Sequence, residues 1–359
     1  MDAASSAAEY GRLDRLLHRL ALSAPVLEMS FDLERALCGR QAEALGPSRP
    51  VLVCGLARAG TSILMRMLHA AGGFASPAYR DLPFPLAPNT WQRCAGRGRR
   101  VQTRERGHGD GLLHDLDTPE AIEEVFWRCK QGEHYLHPQG LAAHAPNAAA
   151  MRQYANYQQL VRLRQGGGRY LAKNNNNVLR LPALAQAFAG ELALLHPFRD
   201  PLQQAASLRE QHRRAGELAA ADPFRARFMT WLGHHEFGAD QRPFLLPGAP
   251  DDALPRTSLD YWLAAWNSVH RHLLEQPAPV RACQVFLDYD RFAGEAPRLV
   301  ARLRQRLQID ALPVSTFRPA PAHALDPADV DPALLAEARR LHAGLGERFD
   351  RFLRALPAE

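Results

Sequence analysis

Eight consecutive residues carry the first chemical signal in this sequence: Gly55-Leu-Ala-Arg58-Ala59-Gly60-Thr61-Ser62. They follow a short apolar run, Pro50-Val-Leu-Val-Cys54, and precede residues with helical spacing, Ile63, Leu64, Met67 and Leu68. Strand, glycine loop and helix in that order turn backbone N–H groups and the positive end of a helix dipole toward one point, which makes an anion site. The full nucleotide-triphosphate pattern is G-x-x-x-x-G-K-[ST]. Gly55 and Gly60 have its spacing, but Thr61 stands where the lysine belongs, and the cation sits inside the loop as Arg58. No strand-end acid stands ready to hold magnesium. Both differences argue against an ATPase, GTPase or kinase, which neutralise a highly charged γ-phosphate with lysine and metal.

A sulfonyl group in transfer carries less charge than a phosphoryl group, so side-chain cations and loop amides suffice without a metal. The loop resembles the 5′-phosphosulfate loop of sulfotransferases that use 3′-phosphoadenosine 5′-phosphosulfate (PAPS), roughly [KR]-[SA]-G-T-[TS] after a strand. Its arginine form is similar to that of tyrosylprotein sulfotransferases and many bacterial members. By this resemblance Arg58, Ala59, Gly60, Thr61 and Ser62 bind the donor, and Arg58 also serves catalysis. A second segment, Leu194-Leu-His-Pro-Phe-Arg199-Asp200-Pro201 with Ser207 eight residues after the arginine, resembles the family's 3′-phosphate motif. The chemistry agrees: an arginine at a strand end can fork onto phosphate oxygens, and Asp200-Pro201 suits a helix start.

Two weaker correspondences follow. Tyr170-Leu-Ala-Lys173-Asn-Asn-Asn-Asn177 sits where the family ends a strand in K-[ST]-P-x-H. The resemblance gives Lys173 a catalytic place near the sulfonyl group, while Asn177 replaces the histidine. Val285-Phe-Leu-Asp-Tyr289-Asp290-Arg-Phe292 is similar to a family segment of structural character. The resemblance spans about residues 50 to 310.

Sulfonyl transfer to a hydroxyl needs a base. In one subset of the family a glutamate fills this role shortly after the loop's helix. Asp81 is the acid available in Pro77-Ala-Tyr-Arg-Asp-Leu-Pro83, and it is the expected base. His108, His114, His134 and His137 are rivals; Glu123 and Glu124 read as a helix face.

Around these residues the pattern is α/β: apolar strands separated by helices, hence a P-loop NTPase-like fold with a central parallel sheet, of sulfotransferase type. Strands are expected near 50–55, 169–173, 191–196 and 281–287, and helices at 26–45, 148–165, 178–189, 296–307 and 332–356. Residues 1–46 form an N-terminal helical segment. Its stripe of Tyr10, Leu13, Leu16, Leu17 and Leu20 either covers the core or packs on a second copy of the chain as a homodimer. Residues 47–359 form the sulfotransferase domain, with an irregular acceptor-side insertion at about 74–118. Prolines at 77, 83, 85 and 88 deny that stretch regular helix, and six arginines crowd its 93–106 loop. Thr118-Pro119-Glu120 is expected to open a helix running to about Lys130.

Composition limits the rest. With 46% apolar and 23% charged residues over 359 positions, the chain is an ordinary globular protein rather than a fibrous or disordered one. A net charge of +6 comes almost wholly from arginine, since Lys130 and Lys173 are its lysines. No basic stripe interleaved with aromatics appears, so nucleic acid is not an expected partner. No apolar run is long enough to span a membrane. Five widely spaced cysteines form neither a disulfide framework nor a zinc site, which indicates a reducing, cytoplasmic location. The expected activity is metal-independent transfer from PAPS, as co-substrate, to a small-molecule, saccharide or peptide hydroxyl or amine. A P-loop kinase and a catalytically silent nucleotide-binding scaffold are the alternatives.

Overall fold

Short apolar segments become the strands of a parallel sheet: β1 (Val51–Val53), β2 (Phe74–Ala75), β3 (Arg169–Lys173), β4 (Ala193–Phe198) and β5 (Gln284–Asp288). In this computed structural model, which describes residues 11–95, 104–105, 113–114, 121–292, 294–313 and 322–354, they lie in the order β5-β4-β1-β3-β2. All four pairings are parallel. Every residue of β1 and β4 is buried, as expected for strands covered on both faces. Val53 lies opposite Lys173 on one side and Leu195 on the other. The carboxyl ends of β1, β3, β4 and β5 therefore open on one rim, the place where α/β sheets bind ligands.

Helices cover this sheet. They include α1 (Arg12–Ala21), α2 (Ala24–Glu43), α3 (Thr61–Ala70), α4 (Glu124–Tyr135), α5 (Ala148–Arg164), α6 (Pro201–Ala221), α7 (Leu259–Leu274) and α8 (Pro332–Arg354). α7 packs on α6 and α8, and α8 on β5; α5 packs on α2 and β3. The expected α/β class and parallel sheet are those observed.

Several local expectations change. The stretch after residue 73 begins inside the sheet, as edge strand β2, and Pro88 opens a helix (Pro88–Ala95) instead of preventing one. A proline in a first turn loses no hydrogen bond, because that N–H has no helical partner. α4 starts at Glu124, and residues 118–120 lie outside those described. The helix expected at 178–189 is a 3-10 turn (Asn175–Leu179) followed by a helix at Leu181–Ala187, with Pro182 in its first turn. β5 starts at Gln284 because Ala278–Cys283 is a helical turn. In α1 the side chains of Leu13, Leu16, Leu17 and Leu20 face outward, between 38% and 82% exposed, so this stripe does not cover the core. Tyr10 lies outside the described residues.

Candidate functional site

The loop after β1 is held from three sides. Cys54 N–H donates to Leu195 O at 3.0 Å. Gln204, fully buried on α6, donates its Nε2 to Ala57 O at 2.8 Å, and its Oε1 accepts from Trp266 Nε1 at 2.9 Å. The third support is the Tyr289 ring. A Cβ added at Gly60 would stand 2.1 Å from Tyr289 Cδ2, so glycine is required for this approach as well as for its φ of 83°. Arg58 is also left-handed, at φ 68°, an uncommon conformation for a residue with a side chain. α3 begins at Thr61 without a side-chain cap. Its first N–H groups thus face the rim uncapped by any side chain, as an anion site needs.

The second motif meets the first. Arg58 Nε donates to Ser207 Oγ at 3.1 Å. Arg199, 5% exposed at the end of β4, pairs through Nε with Asp290 Oδ1 at 3.2 Å and lies 5.9 Å from the centre of the Tyr289 ring. Asp290 Oδ2 accepts from the Asp200 N–H at 2.7 Å, and Asp200 caps α6 by accepting from Gln203 N–H at 2.9 Å. The Tyr289–Asp290 segment therefore contacts both the glycine loop and the Arg199–Asp200 segment. His323 joins them from the C-terminal part of the chain: Gln203 donates to its carbonyl at 3.0 Å and accepts its N–H at 2.7 Å. Burial, then the charge of Arg199, hold the His323 imidazole below its usual pKa.

Lys173 ends β3, half-buried, and opens the asparagine run. Each asparagine side-chain NH2 has a partner, and Asn174 and Asn177 share Glu123. Asn174 donates to Glu123 at 3.1 Å and Glu124 at 2.8 Å; Asn175 to Glu236 Oε1 at 2.9 Å; Asn176 to Gly233 O at 3.3 Å; Asn177 to Glu123 at 2.8 Å. Glu123 and Glu124, expected on a helix face, are core residues at 0% and 2% exposure. Glu123 also accepts from the Tyr154 and Tyr170 hydroxyls at 2.7 and 2.8 Å. Glu124 takes both terminal nitrogens of Arg180. Burial pushes the Glu124 pKa up, but Arg180 outweighs it and the net shift is downward. These are the compensations that let two carboxylates sit in a core.

Asp81 lies in a 3-10 turn (Tyr79–Asp81) at 1% exposure. One carboxylate oxygen pairs with Arg164 Nε at 2.8 Å, and the other accepts the Ala78 N–H at 2.8 Å. Of the histidines, His134 is exposed on α4, and His137 is half-buried in a short strand (Leu136–His137). The backbone of His114 lies in a two-residue strand; His108 falls outside the described residues, as does most of the arginine-rich loop. His196, inside the second motif, is buried against Cys54 O at 2.8 Å, and burial pulls its pKa to about 4.

Gln204, Tyr289, Asp290, Glu236 and His323 are the site residues that sequence reasoning missed. A signal existed for Gln204, one helical turn beyond Asp200 and so on the capped end of α6. Tyr289 and Asp290 stood in a recognised segment but were given only a structural part.

The solved structures similar to this chain include sulfotransferase STF1 from Mycobacterium tuberculosis H37Rv, at 13% identity and a TM-score of 0.48, covering 96% of this chain and 86% of that one. Sulfotransferase STF9 from Mycobacterium avium is similar at 14% identity and a TM-score of 0.47, covering 89% and 81%. Curated proteins give no match. The model of the sulfotransferase family matches residues 50–241, more than half of the 359 positions and inclusive of the glycine loop and the Arg199–Ser207 segment. On that match the chain belongs to the sulfotransferase family.

Proposed function

We propose that this sulfotransferase takes its sulfonyl group from PAPS and delivers it to an acceptor hydroxyl or amine without a metal. The observation that carries the reading is the Arg58–Ser207 hydrogen bond, which joins the two motifs on one rim. The residues present suit a donor with two anionic ends: Arg58, Lys173 and the amides of Ala59 to Ser62 toward one, Arg199 and Ser207 toward the other. Bound there, the donor supplies a sulfur–oxygen bond activated by a phosphate leaving group. Arg58, Lys173 and the loop amides stabilise negative charge as it develops on that leaving oxygen. Arg199 and Ser207 hold the 3′-phosphate, and Ser207 still has its O–H to donate while its oxygen accepts from Arg58. Asp81 is the proton acceptor read from the sequence.

No described helix is long and apolar enough to cross a membrane. All five cysteines are free thiols, which supports a reducing compartment and a cytoplasmic site of action. The outward stripe of α1 supports a homodimer, which light scattering would count.

Binding to the folded state alone raises the melting temperature. Adenosine 3′,5′-bisphosphate should do so without added metal, and ATP with magnesium much less. A stronger effect of ATP–magnesium would favour the kinase. Bisphosphate binding with no transfer from labelled PAPS across an acceptor library would favour a silent scaffold.

A further inference from the structure

A narrow cleft opens beside the loop. Its walls include Leu56 and Ala57 from the loop, Leu208 from α6, Phe244, and Trp262 and Val269 from α7. Its polar lining includes Asn175, Glu236, His235, Gln241 and Arg242, the last of these already paired with Asp240. The lining is of the kind small-molecule sites have: apolar walls with a few converging polar groups.

Glu236 lines this cleft and is less buried than Asp81. Its side chain is 18% exposed, where that of Asp81 is 2%. One carboxylate oxygen accepts from Asn175, two residues beyond Lys173, and the other lies 3.5 Å from His234 Nδ1. Burial favours the neutral acid, but His234 and then Lys173 outweigh it and keep the carboxylate ionised. An anion held by Lys173 would offset the lysine's part of this pull, which is smaller than that of His234.

We propose that Glu236 takes the proton of the acceptor hydroxyl, and that the acceptor is an uncharged alcohol or phenol whose apolar body lies in this cleft. The inference rests on the PAPS reading above. The acceptor O–H bond breaks and its proton passes to a Glu236 oxygen. The oxygen's electron pair forms the new O–S bond, and the old S–O bond leaves with its pair on the phosphate. Asn175 and His234 position the carboxylate; Asp81 is then a strut of its turn.

The test uses 4-nitrophenol, whose ionisation is visible in its absorbance, buffered on the acid side of its own pKa so that it arrives as the neutral phenol. The whole chain with adenosine 3′,5′-bisphosphate should bind it, and with PAPS should sulfonate it. Glu236→Gln should keep bisphosphate affinity and 4-nitrophenol binding within a few-fold, while turnover falls about 10²–10⁴-fold. Removing the carboxylate's charge beside Lys173 should also raise the ionised fraction of bound 4-nitrophenol, a shift that a merely structural role would not produce. Ala265→Trp, which fills the cleft from α7, should lower 4-nitrophenol affinity at least tenfold and leave bisphosphate affinity unchanged; that affinity also certifies folding. Normal turnover in Glu236→Gln, unchanged ionisation, or no 4-nitrophenol binding to the bisphosphate complex would overturn the inference and leave the donor reading intact. Failure of the wild-type chain to bind the bisphosphate would sink both.

Discussion

Arg58 and Ser207 are 149 residues apart in sequence, yet Arg58 Nε donates to Ser207 Oγ at 3.1 Å. The cation of the first motif and the hydroxyl of the second are assembled by protein contacts alone. Groups already in place bind with less loss of side-chain freedom. Ser207→Ala should therefore weaken adenosine 3′,5′-bisphosphate in two ways, by removing a donor and by releasing Arg58. Titration calorimetry should show a more unfavourable entropy along with the lower affinity.

Arg199 separates two ligands. Arg199→Ala should weaken adenosine 3′,5′-bisphosphate by roughly 2–4 kcal/mol, since a nearly buried cation is lost and the phosphate left unpaired. AMP, which lacks the 3′-phosphate, should bind almost as before. Equal losses for the two nucleotides would show that Arg199 does not read the 3′ position.

Gly60 and Tyr289 form a size pair. Gly60→Ala should abolish measurable bisphosphate binding, because the new methyl overlaps the Tyr289 ring. Adding Tyr289→Ala should restore part of it. Recovery should stay incomplete: the left-handed backbone still costs an alanine about 1 kcal/mol, and Tyr289 no longer stands over Arg199.

Asp81 and Arg164 are both nearly buried. Asp81→Asn leaves the guanidinium without its counter-charge and should destabilise the fold by about 3–5 kcal/mol. Melting temperature measures that loss. Turnover per folded molecule measures the separate expectation that Asp81 is the base; an unchanged value would leave it a purely structural acid.

Acid should weaken the fold through buried histidines. Burial lowers His196 to about 4 and His270 to about 3, both from 6.5. Between those values and 6.5 the unfolded chain binds protons that the folded chain refuses, so stability is lost as pH falls through this window. Melting curves from pH 7.5 to 4.5 should show the decline, and His196→Phe should flatten it if the ring packs.

What was legible in the sequence follows from how local each signal is. β1, its loop and α3 are contiguous, so their order in the chain is their order in space. The same holds for the end of β4 and the start of α6, where Asp200 and Pro201 announce the helix. The helix-face reading of Glu123 failed because its partners, Tyr154, Tyr170 and Asn177, are distant in sequence; the Arg164 partner of Asp81 was out of sight for the same reason. Nothing in the spacing of Glu123 and Glu124 distinguishes a solvated helix face from a core network. Glu236 was invisible for a similar reason. Only the folding of residues 233–236 against the asparagine run brings it beside Lys173.

Arg58 holds its cation on a backbone that glycine would adopt more easily, at φ 68°. Arg58→Gly should relieve on the order of 1 kcal/mol of backbone strain while deleting the charge at the mouth of the loop and its hydrogen bond to Ser207. A library screened for heat resistance alone would tolerate this replacement, and one screened on nucleotide would discard it. Backbone ease and ligand capture pull this one position in opposite directions.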